Sequence, residues 1–179
     1  MIDNKQVILI VIDVQGKLAT LMQEKDQLFF HLRAMTQAAK IFNIPIIYTE
    51  QAPEKIGKTV SPVRDLLTDQ QPIEKKSFSC CGSKDFLLQL ESLKRNSIII
   101  MGIETHVCVY QTVSDLLKQR FHVEVVVDAV SSRSQLNTDI ALERMKDLGA
   151  QLTTTEMIIC ELLKTAEHEK FREIMKLIK

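Results

Sequence analysis

The chain of 179 residues has the length of one ordinary domain, and an apolar fraction of 45% is enough to build a hydrophobic core. Acidic and basic side chains number 23 each, and the resulting net charge of zero gives no attraction to nucleic acid. An apolar run at residues 7–14 contains Asp13 and is too short to span a bilayer. We therefore interpret residues 1–179 as one domain with neither nucleic acid nor a membrane as a partner.

The cysteines point to a reducing environment. Cys80, Cys81, Cys108 and Cys160 form no CxxC pair, so the sequence favours neither a disulfide framework nor a structural zinc site. The first residues also lack the features of a secretory signal peptide. These observations predict a cytoplasmic protein.

Short apolar runs alternate with helical patterns along the chain. The β-branched run at residues 7–12 predicts a strand buried on both faces, and apolar residues recur at helical spacing over residues 18–42. Further strands are predicted at residues 44–48, near 73, and at 97–101, 123–127 and 150–154. Further helices are predicted at residues 63–67, from 83, after the Gly102 turn through about 118, at 139–148 and in the last part of the chain.

This alternation predicts an α/β fold. Strands that are apolar throughout, each followed by a helix, form βαβ units and a parallel sheet covered on both faces. No internal repeat or interdomain linker interrupts the pattern. We predict a single doubly wound (Rossmann-like) three-layer domain with a mostly parallel sheet of about six strands.

Three reactive side chains follow predicted strands. Open parallel sheets bind their ligands at the carboxyl ends of the strands, near the point where the strand order reverses. Asp13 ends the first strand, Lys75 or Lys76 follows the brief strand near residue 73, and Cys108 follows the strand at 97–101 across a glycine-containing turn. An acid, an amine and a thiol are therefore expected at one edge of the sheet.

Asp13 has two interpretations. It could cap a helix or lie solvated at a strand end, as many such aspartates do. Its apolar surroundings make an unpaired carboxylate costly to desolvate, and a neighbouring lysine would compensate that cost.

Cys108 also has two interpretations. Free cysteines are mostly buried and inert. A thiol in the first turn of a helix, however, lies near the positive end of the helix dipole, and a neighbouring lysine would lower its pKa further. His106 is two residues away and faces another direction on a helix, so a Cys–His pair is not predicted.

Motifs for metals and nucleotide cofactors are missing. The histidines show neither HxH nor HExxH spacing, and the turn after the first strand reads Asp13-Val-Gln-Gly-Lys rather than GxGxxG. The sequence predicts no metal site and no cofactor.

Four motifs occur in order along the chain. They are Ile12-Asp-Val-Gln, Lys75-Lys-Ser-Phe-Ser, Gly102-Ile-Glu-Thr-His-Val-Cys-Val and Val126-Val-Asp-Ala-Val-Ser-Ser-Arg-Ser. In these motifs the chain resembles the isochorismatase-like cysteine hydrolase family over nearly its whole length. Within that family it most closely resembles the isochorismatase domain-containing branch.

The resemblance implies a catalytic triad of Asp13, Lys75 and Cys108. Lys75 is preferred over Lys76 because the family lysine stands four residues before a serine, which here is Ser79. The resemblance also implies a cis peptide bond between Ile103 and Glu104, and an oxyanion hole formed by the backbone N–H groups of Glu104 and Cys108. Three residues within or beside the motifs are candidates for the substrate pocket: Gln15, Ser79 and Thr105.

Departures from the family pattern narrow the chemistry. Thr49-Glu-Gln-Ala-Pro stands where nicotinamidases carry an Asp-x-His metal cluster, which disfavours nicotinamide and a metal. Isochorismatases that cleave a vinyl ether lack the cysteine, so Cys108 argues against that reaction. The expected function is hydrolysis of a small amide or related carbonyl compound by a homo-oligomer. The alternatives are a non-catalytic scaffold or binding protein, and a redox-sensing thiol if Cys80 or Cys81 lies near Cys108.

Overall fold

A computed structural model describes residues 2–179 and contains a six-stranded sheet in which every strand pairing is parallel. The spatial order is β3-β2-β1-β4-β5-β6, so the strand order reverses between β1 and β4. The strands are β1 (Val7–Ile12), β2 (Ile46–Gln51), β3 (Ile73–Lys75), β4 (Ser97–Ile103), β5 (His122–Ser131) and β6 (Gln151–Thr153).

Helices follow the strands in the predicted alternation. They are α1 (Gly16–Thr20), α2 (Lys25–Ile41), α3 (Pro53–Ile56), α4 (Ser61–Arg64), α5 (Lys84–Ser92), α6 (Tyr110–Lys118), α7 (Gln135–Asp147), α8 (Thr155–Leu163) and α9 (Phe171–Ile174). A 3₁₀ turn at Cys80–Gly82 precedes α5, and a π-helical turn at Thr105–Val109 leads into α6. None of these helices, within residues 2–179, combines the length and the apolar character that a bilayer crossing requires.

The central strand β1 is buried on both faces. Its alternate residues belong to two different apolar clusters, because successive side chains of a strand point to opposite faces. Leu9 packs in the cluster that contains α2 and α8, and Ile10 packs in the cluster that contains α5, α6 and α7. The predicted α/β class, doubly wound topology and three layers are confirmed.

The helix predicted over residues 18–42 is divided. Helix α1 ends at Thr20 and α2 begins at Lys25, after Glu24 in the left-handed conformation with φ 47°. The N–H of Gln23, in the intervening turn, donates to the carbonyl of Ser132 at 3.0 Å. This contact between segments distant in sequence replaces the helical hydrogen bonds at that point.

Strand β5 extends further than predicted. The sequence predicts a strand over residues 123–127, yet β5 continues through Asp128 to Ser131. The carboxylate of Asp128 accepts hydrogen bonds from the backbone N–H of Thr155 at 3.0 Å and from its hydroxyl at 2.8 Å. The polar side chain therefore anchors the start of α8 and is compatible with the strand.

Strands β1 and β4 approach closely at the reversal of strand order. Gly102 pairs with Ile12 and has a φ of 124°. A Cβ atom at position 102 would overlap the backbone of Ile12, so both the conformation and the close approach require glycine. This contact brings the ends of the two strands together.

Candidate active site

Asp13 and Lys75 form a buried ion pair. The Nζ of Lys75 lies 2.6 Å from Oδ2 of Asp13, and the two side chains are 0% and 5% exposed, respectively. Lys75 also donates to Oε1 of Gln51 at 2.9 Å and to the carbonyls of Ser77 and Phe78 at 3.2 and 3.1 Å. Four acceptors therefore surround one ammonium group.

The alternation of β3 selects Lys75 over Lys76. Ile73 and Lys75 are buried, whereas Glu74 between them is exposed, as expected when successive side chains face opposite sides. Lys76 is exposed, and its carbonyl accepts a hydrogen bond from the side-chain amide of Gln51 at 2.8 Å. The choice between the two lysines follows from strand geometry.

Asp13 does not cap the helix that follows it. Asp13 leaves β1 with a φ of 50°, and the N-cap position of α1 is Gln15. The hydroxyl of Thr49, on β2, donates to Oδ1 of Asp13 at 2.7 Å. Both carboxylate oxygens are therefore engaged by neighbouring strands, and the helix-cap interpretation of Asp13 is wrong.

Cys108 lies in the π-helical turn between β4 and α6 and is 7% exposed. Burial raises the pKa of its thiol well above the usual range, and the negative charge of Asp13 raises it further. Lys75 acts in the opposite direction, while hydrogen bonding to Asp13 again favours the protonated thiol. The expectation of a lowered pKa is wrong, because desolvation and the carboxylate outweigh the lysine.

The turn that carries Cys108 is held by backbone and hydroxyl contacts. The carbonyl of Glu104 accepts the N–H groups of Val107 and Val109, on either side of Cys108, at 3.1 and 3.3 Å. The hydroxyl of Thr112 donates to the carbonyl of Cys108 at 2.6 Å. The peptide bond between Ile103 and Glu104 is cis, at the predicted position.

A second ion pair, which the sequence did not indicate, lies beside this turn. Arg133, just after β5, directs its Nε and Nη2 to the two carboxylate oxygens of Glu104 at 3.0 and 3.2 Å. The backbone N–H of Arg133 donates to the same carboxylate at 3.2 Å. The Glu104 side chain is 8% exposed and that of Arg133 is 59% exposed. Arg133 belongs to the fourth motif, but no spacing in the sequence identifies its partner.

The candidate residues for the substrate pocket differ in whether their polar side-chain atoms are already hydrogen-bonded within the protein. Gln15 has no exposed surface. Its amide nitrogen donates to the carbonyls of Gln51 and Gly57, and its amide oxygen accepts the backbone N–H of Gln51. The hydroxyl of Ser79 accepts the N–H of Cys81 at 3.2 Å at the start of the 3₁₀ turn. Both side chains therefore have structural roles in this conformation.

Thr105 is the remaining pocket candidate. It has no exposed surface, and its hydroxyl has no hydrogen-bond partner among residues 2–179. A buried hydroxyl without a partner is energetically costly, so a ligand contact would stabilise it.

His106 does not contact Cys108 as a base. Its Nδ1 lies 2.9 Å from the hydroxyl of Ser132, and its Nε2 lies 3.4 Å from the amide of Asn137. The prediction against a Cys–His pair is confirmed. Within the described part of the chain, no group of three or more His, Cys, Asp or Glu residues is placed to hold a metal ion.

Comparisons with known proteins identify the family. The model of the isochorismatase domain matches residues 7–157. The mouse isochorismatase domain-containing protein 2A is 37% identical over 172 residues, which cover 96% of this chain and 82% of the mouse protein. The chain therefore belongs to the isochorismatase family.

Solved structures support this assignment. The structure of MAR1 ribonuclease from Caenorhabditis elegans has a TM-score of 0.92 and 40% identity and covers 99% of this chain and 91% of its own. YcaC from Pseudomonas aeruginosa, described with covalent acrylamide, has a TM-score of 0.92 and 25% identity. The match covers 98% of this chain and 90% of the YcaC chain. YcaC from Escherichia coli, described as an octameric hydrolase, has a TM-score of 0.89 and 26% identity. The match covers 98% of this chain and 94% of the YcaC chain. The fold is that of isochorismatase-family hydrolases.

Proposed function

We propose that the protein is a cysteine hydrolase that cleaves a small amide or related carbonyl compound through an acyl intermediate on Cys108. The main support is the buried ion pair of Asp13 and Lys75, which influences the protonation of the Cys108 thiol at the reversal of strand order. An acid, an amine and a thiol in one buried cluster are the groups that acyl transfer requires. No metal or cofactor takes part in the proposed reaction.

In this proposal acylation begins with a protonated thiol, which agrees with the raised pKa of Cys108. As the sulfur attacks the carbonyl carbon, the thiol proton passes to Asp13, and Lys75 stabilises the charge that develops on sulfur. The N–H groups of Glu104 and Cys108 donate to the oxyanion. Asp13 then returns the proton to the leaving amine as the carbon–nitrogen bond breaks.

Deacylation uses the same groups with water as the nucleophile. Asp13 takes a proton from the attacking water, and the carbonyl carbon of the acyl group forms a bond to the water oxygen. The carbon–sulfur bond breaks, the carboxylic acid leaves, and the proton on Asp13 restores the Cys108 thiol. The hydroxyl of Thr105 is the pocket group that we assign to a polar atom of the substrate, since it has no partner in the described chain.

The covalent acrylamide in YcaC from P. aeruginosa supports this proposal by analogy. Acrylamide contains both an amide and an electrophilic carbon, so it is a suitable probe for a nucleophilic residue in an amide-binding pocket. We expect acrylamide to modify Cys108 in the Cys160→Ser variant, which lacks the exposed cysteine, as measured by intact mass and peptide mapping.

A panel of small primary amides, assayed for released ammonia, tests the proposed function. We expect turnover by the wild type to fall by at least about 10³-fold in Cys108→Ala. Cys160→Ser is the matched control because Cys160 is an exposed cysteine on α8, in the layer on the other side of the sheet. Equal turnover by Cys108→Ala and wild type would exclude Cys108 as the nucleophile.

A non-catalytic scaffold is the second candidate. The raised pKa of the Cys108 thiol favours this candidate, because a protonated thiol is a weaker nucleophile than a thiolate. The two functions differ in their response to Asp13→Asn. Loss of amide turnover with the fold retained, measured by circular dichroism, supports the hydrolase, and absence of turnover in every protein tested supports the scaffold.

Three further properties complete the proposal. We assign a small-molecule substrate rather than RNA, and an RNA oligonucleotide in the assay panel tests this choice, since the C. elegans structure is described as a ribonuclease. We propose a homo-oligomer by analogy with octameric YcaC from E. coli, to be measured by light scattering. We propose a cytoplasmic location, consistent with four free cysteines.

A further inference from the structure

Cys80 lies at the edge of the catalytic cluster although the proposed hydrolysis does not use it. It is the first residue of the 3₁₀ turn and has no exposed surface. Its Sγ lies 3.8 Å from the hydroxyl of Thr49, and that hydroxyl donates to Oδ1 of Asp13 at 2.7 Å. One threonine therefore joins the second thiol to the carboxylate that faces Cys108.

The backbones of the two cysteines are also joined by one side chain. The hydroxyl of Thr112 accepts the N–H of Cys80 at 2.9 Å and donates to the carbonyl of Cys108 at 2.6 Å. Cys80 and Cys108 belong to the same apolar cluster on one face of the sheet. Burial and the charge of Asp13 are the main causes of the raised pKa of the Cys108 thiol, and charge on Cys80 acts in the same direction.

The other two cysteines have different surroundings. Cys81 is half-buried, and burial raises the pKa of its thiol to about 11, with smaller effects from Ser79, Asp115 and Gln119. Cys160 is exposed on α8, which packs on the opposite face of the sheet. Cys81 packs at the margin of the same cluster, but Cys80 is the cysteine that contacts Thr49 and Thr112, the hydrogen-bond partners of Asp13 and Cys108.

We propose that Cys80 is a resolving thiol for Cys108, so that a hydroperoxide converts the pair into an intramolecular disulfide and reversibly stops hydrolysis. This inference rests on the proposed function for its effect on activity, although disulfide formation itself can be tested independently. Formation of the disulfide protects the nucleophile from irreversible oxidation to the sulfinic and sulfonic acids.

The first step oxidises Cys108. Its sulfur attacks one oxygen of the hydroperoxide, an S–O bond forms, and the O–O bond breaks. Asp13 takes the thiol proton and transfers it to the departing oxygen, which leaves as water or as an alcohol. The products are a sulfenic acid on Cys108 and an unchanged carboxylate.

The second step consumes Cys80. Its sulfur attacks the sulfur of the sulfenic acid, the S–S bond forms, and the S–O bond breaks. The released hydroxide takes the proton of the Cys80 thiol and leaves as water. In total, two thiols lose two electrons and two protons to one hydroperoxide, and a dithiol reductant restores them.

The test treats the full chain with hydrogen peroxide and measures intact mass and disulfide-linked peptides. We expect the wild type and Cys160→Ser to lose two hydrogens and to yield a peptide pair that links Cys80 to Cys108. Cys80→Ser and Cys80→Ala, checked for the native fold by circular dichroism, should instead accumulate several-fold more sulfinic acid on Cys108. Dithiothreitol should restore amide turnover in the wild type and leave that of the oxidised Cys80 variants low.

The possible failures are distinguishable. Oxidation of Cys108 in the wild type without a link to Cys80, or equal sulfinic acid in wild type and Cys80→Ser, overturns the resolving role and leaves the hydrolase proposal intact. A Cys108 that resists peroxide overturns it as well. If Cys108 also resists acrylamide and no amide is hydrolysed, the proposed function fails with it.

Discussion

Two ion pairs lie at the carboxyl edge of the sheet, one on each side of the reversal in strand order. The pair of Asp13 and Lys75 connects β1 to β3 and has almost no exposed surface. The pair of Glu104 and Arg133 connects the end of β4 to the end of β5, and more than half of the arginine side chain is exposed. Both pairs flank the turn that carries Cys108, but water reaches only one of them.

The difference in burial suggests different roles for the two ion pairs, one in the reaction and one in holding the turn that carries Cys108. A buried ion pair is costly to form and is strongly destabilising when one partner is lost, and such a pair at a strand end is a candidate for a functional site. A pair with one largely exposed partner is more strongly screened by salt than a fully buried pair, and its three hydrogen bonds to the Glu104 carboxylate can orient the backbone beside it. We therefore interpret the first pair as reacting groups and the second pair as support for the turn that contains Glu104.

Removal of Lys75 should have the largest effect. Lys75→Met keeps the volume of the side chain but leaves the Asp13 carboxylate buried without its partner. We expect the free energy of unfolding to fall by about 3–5 kcal/mol, measured by urea denaturation at pH 7.

The matched control for this variant is the double substitution Asp13→Asn with Lys75→Met, which removes both charges. It should be more stable than Lys75→Met alone, because no charge remains uncompensated. An unfolding free energy of Lys75→Met equal to that of the wild type would show that water reaches the pair.

Substitution of Asp13 alone should change the reactivity of Cys108. The negative charge of Asp13 raises the pKa of the thiol, so Asp13→Asn lowers that pKa and increases the thiolate fraction at a given pH. We expect iodoacetamide to label Cys108 about tenfold faster at pH 8 for each unit by which the pKa falls. Cys160 in the same chain is the internal reference, and slower labelling of Cys108 relative to Cys160 would contradict the assigned influence of the carboxylate.

Substitution of Arg133 should have the smallest effect. Arg133→Met removes two of the donors to Glu104 but keeps the backbone N–H, and the arginine is solvated in the wild type. We expect a decrease in Tm of a few degrees at low salt, which becomes smaller in 1 M NaCl because the Debye length there is about 3 Å and the arginine is exposed. The loss caused by Lys75→Met should persist at the same salt concentration, and a common salt response would remove the distinction between the pairs.

The sequence predicted the α/β class and the strands well, because fully buried strands have an unambiguous apolar pattern. The triad residues could be placed at one edge because parallel strands end on the same side of the sheet. The choice of Lys75 could be made from a motif, and the alternation of β3 supplies its physical reason.

Contacts between distant segments could not be predicted. The interruption before α2 depends on the hydrogen bond from Gln23 to Ser132, and the extension of β5 depends on the contact of Asp128 with Thr155. The raised pKa of Cys108 depends on how deeply the turn is buried, which no local pattern reports.

Gly102 constrains the packing of β1 against β4 beside the candidate active site. It keeps the backbones of β1 and β4 in contact directly before the residues that lead to Asp13 and Cys108. The close approach of the two main chains therefore fixes where the segments that carry the acid and the thiol begin. Libraries designed to alter substrate preference should therefore leave Gly102 and Ile12 unchanged.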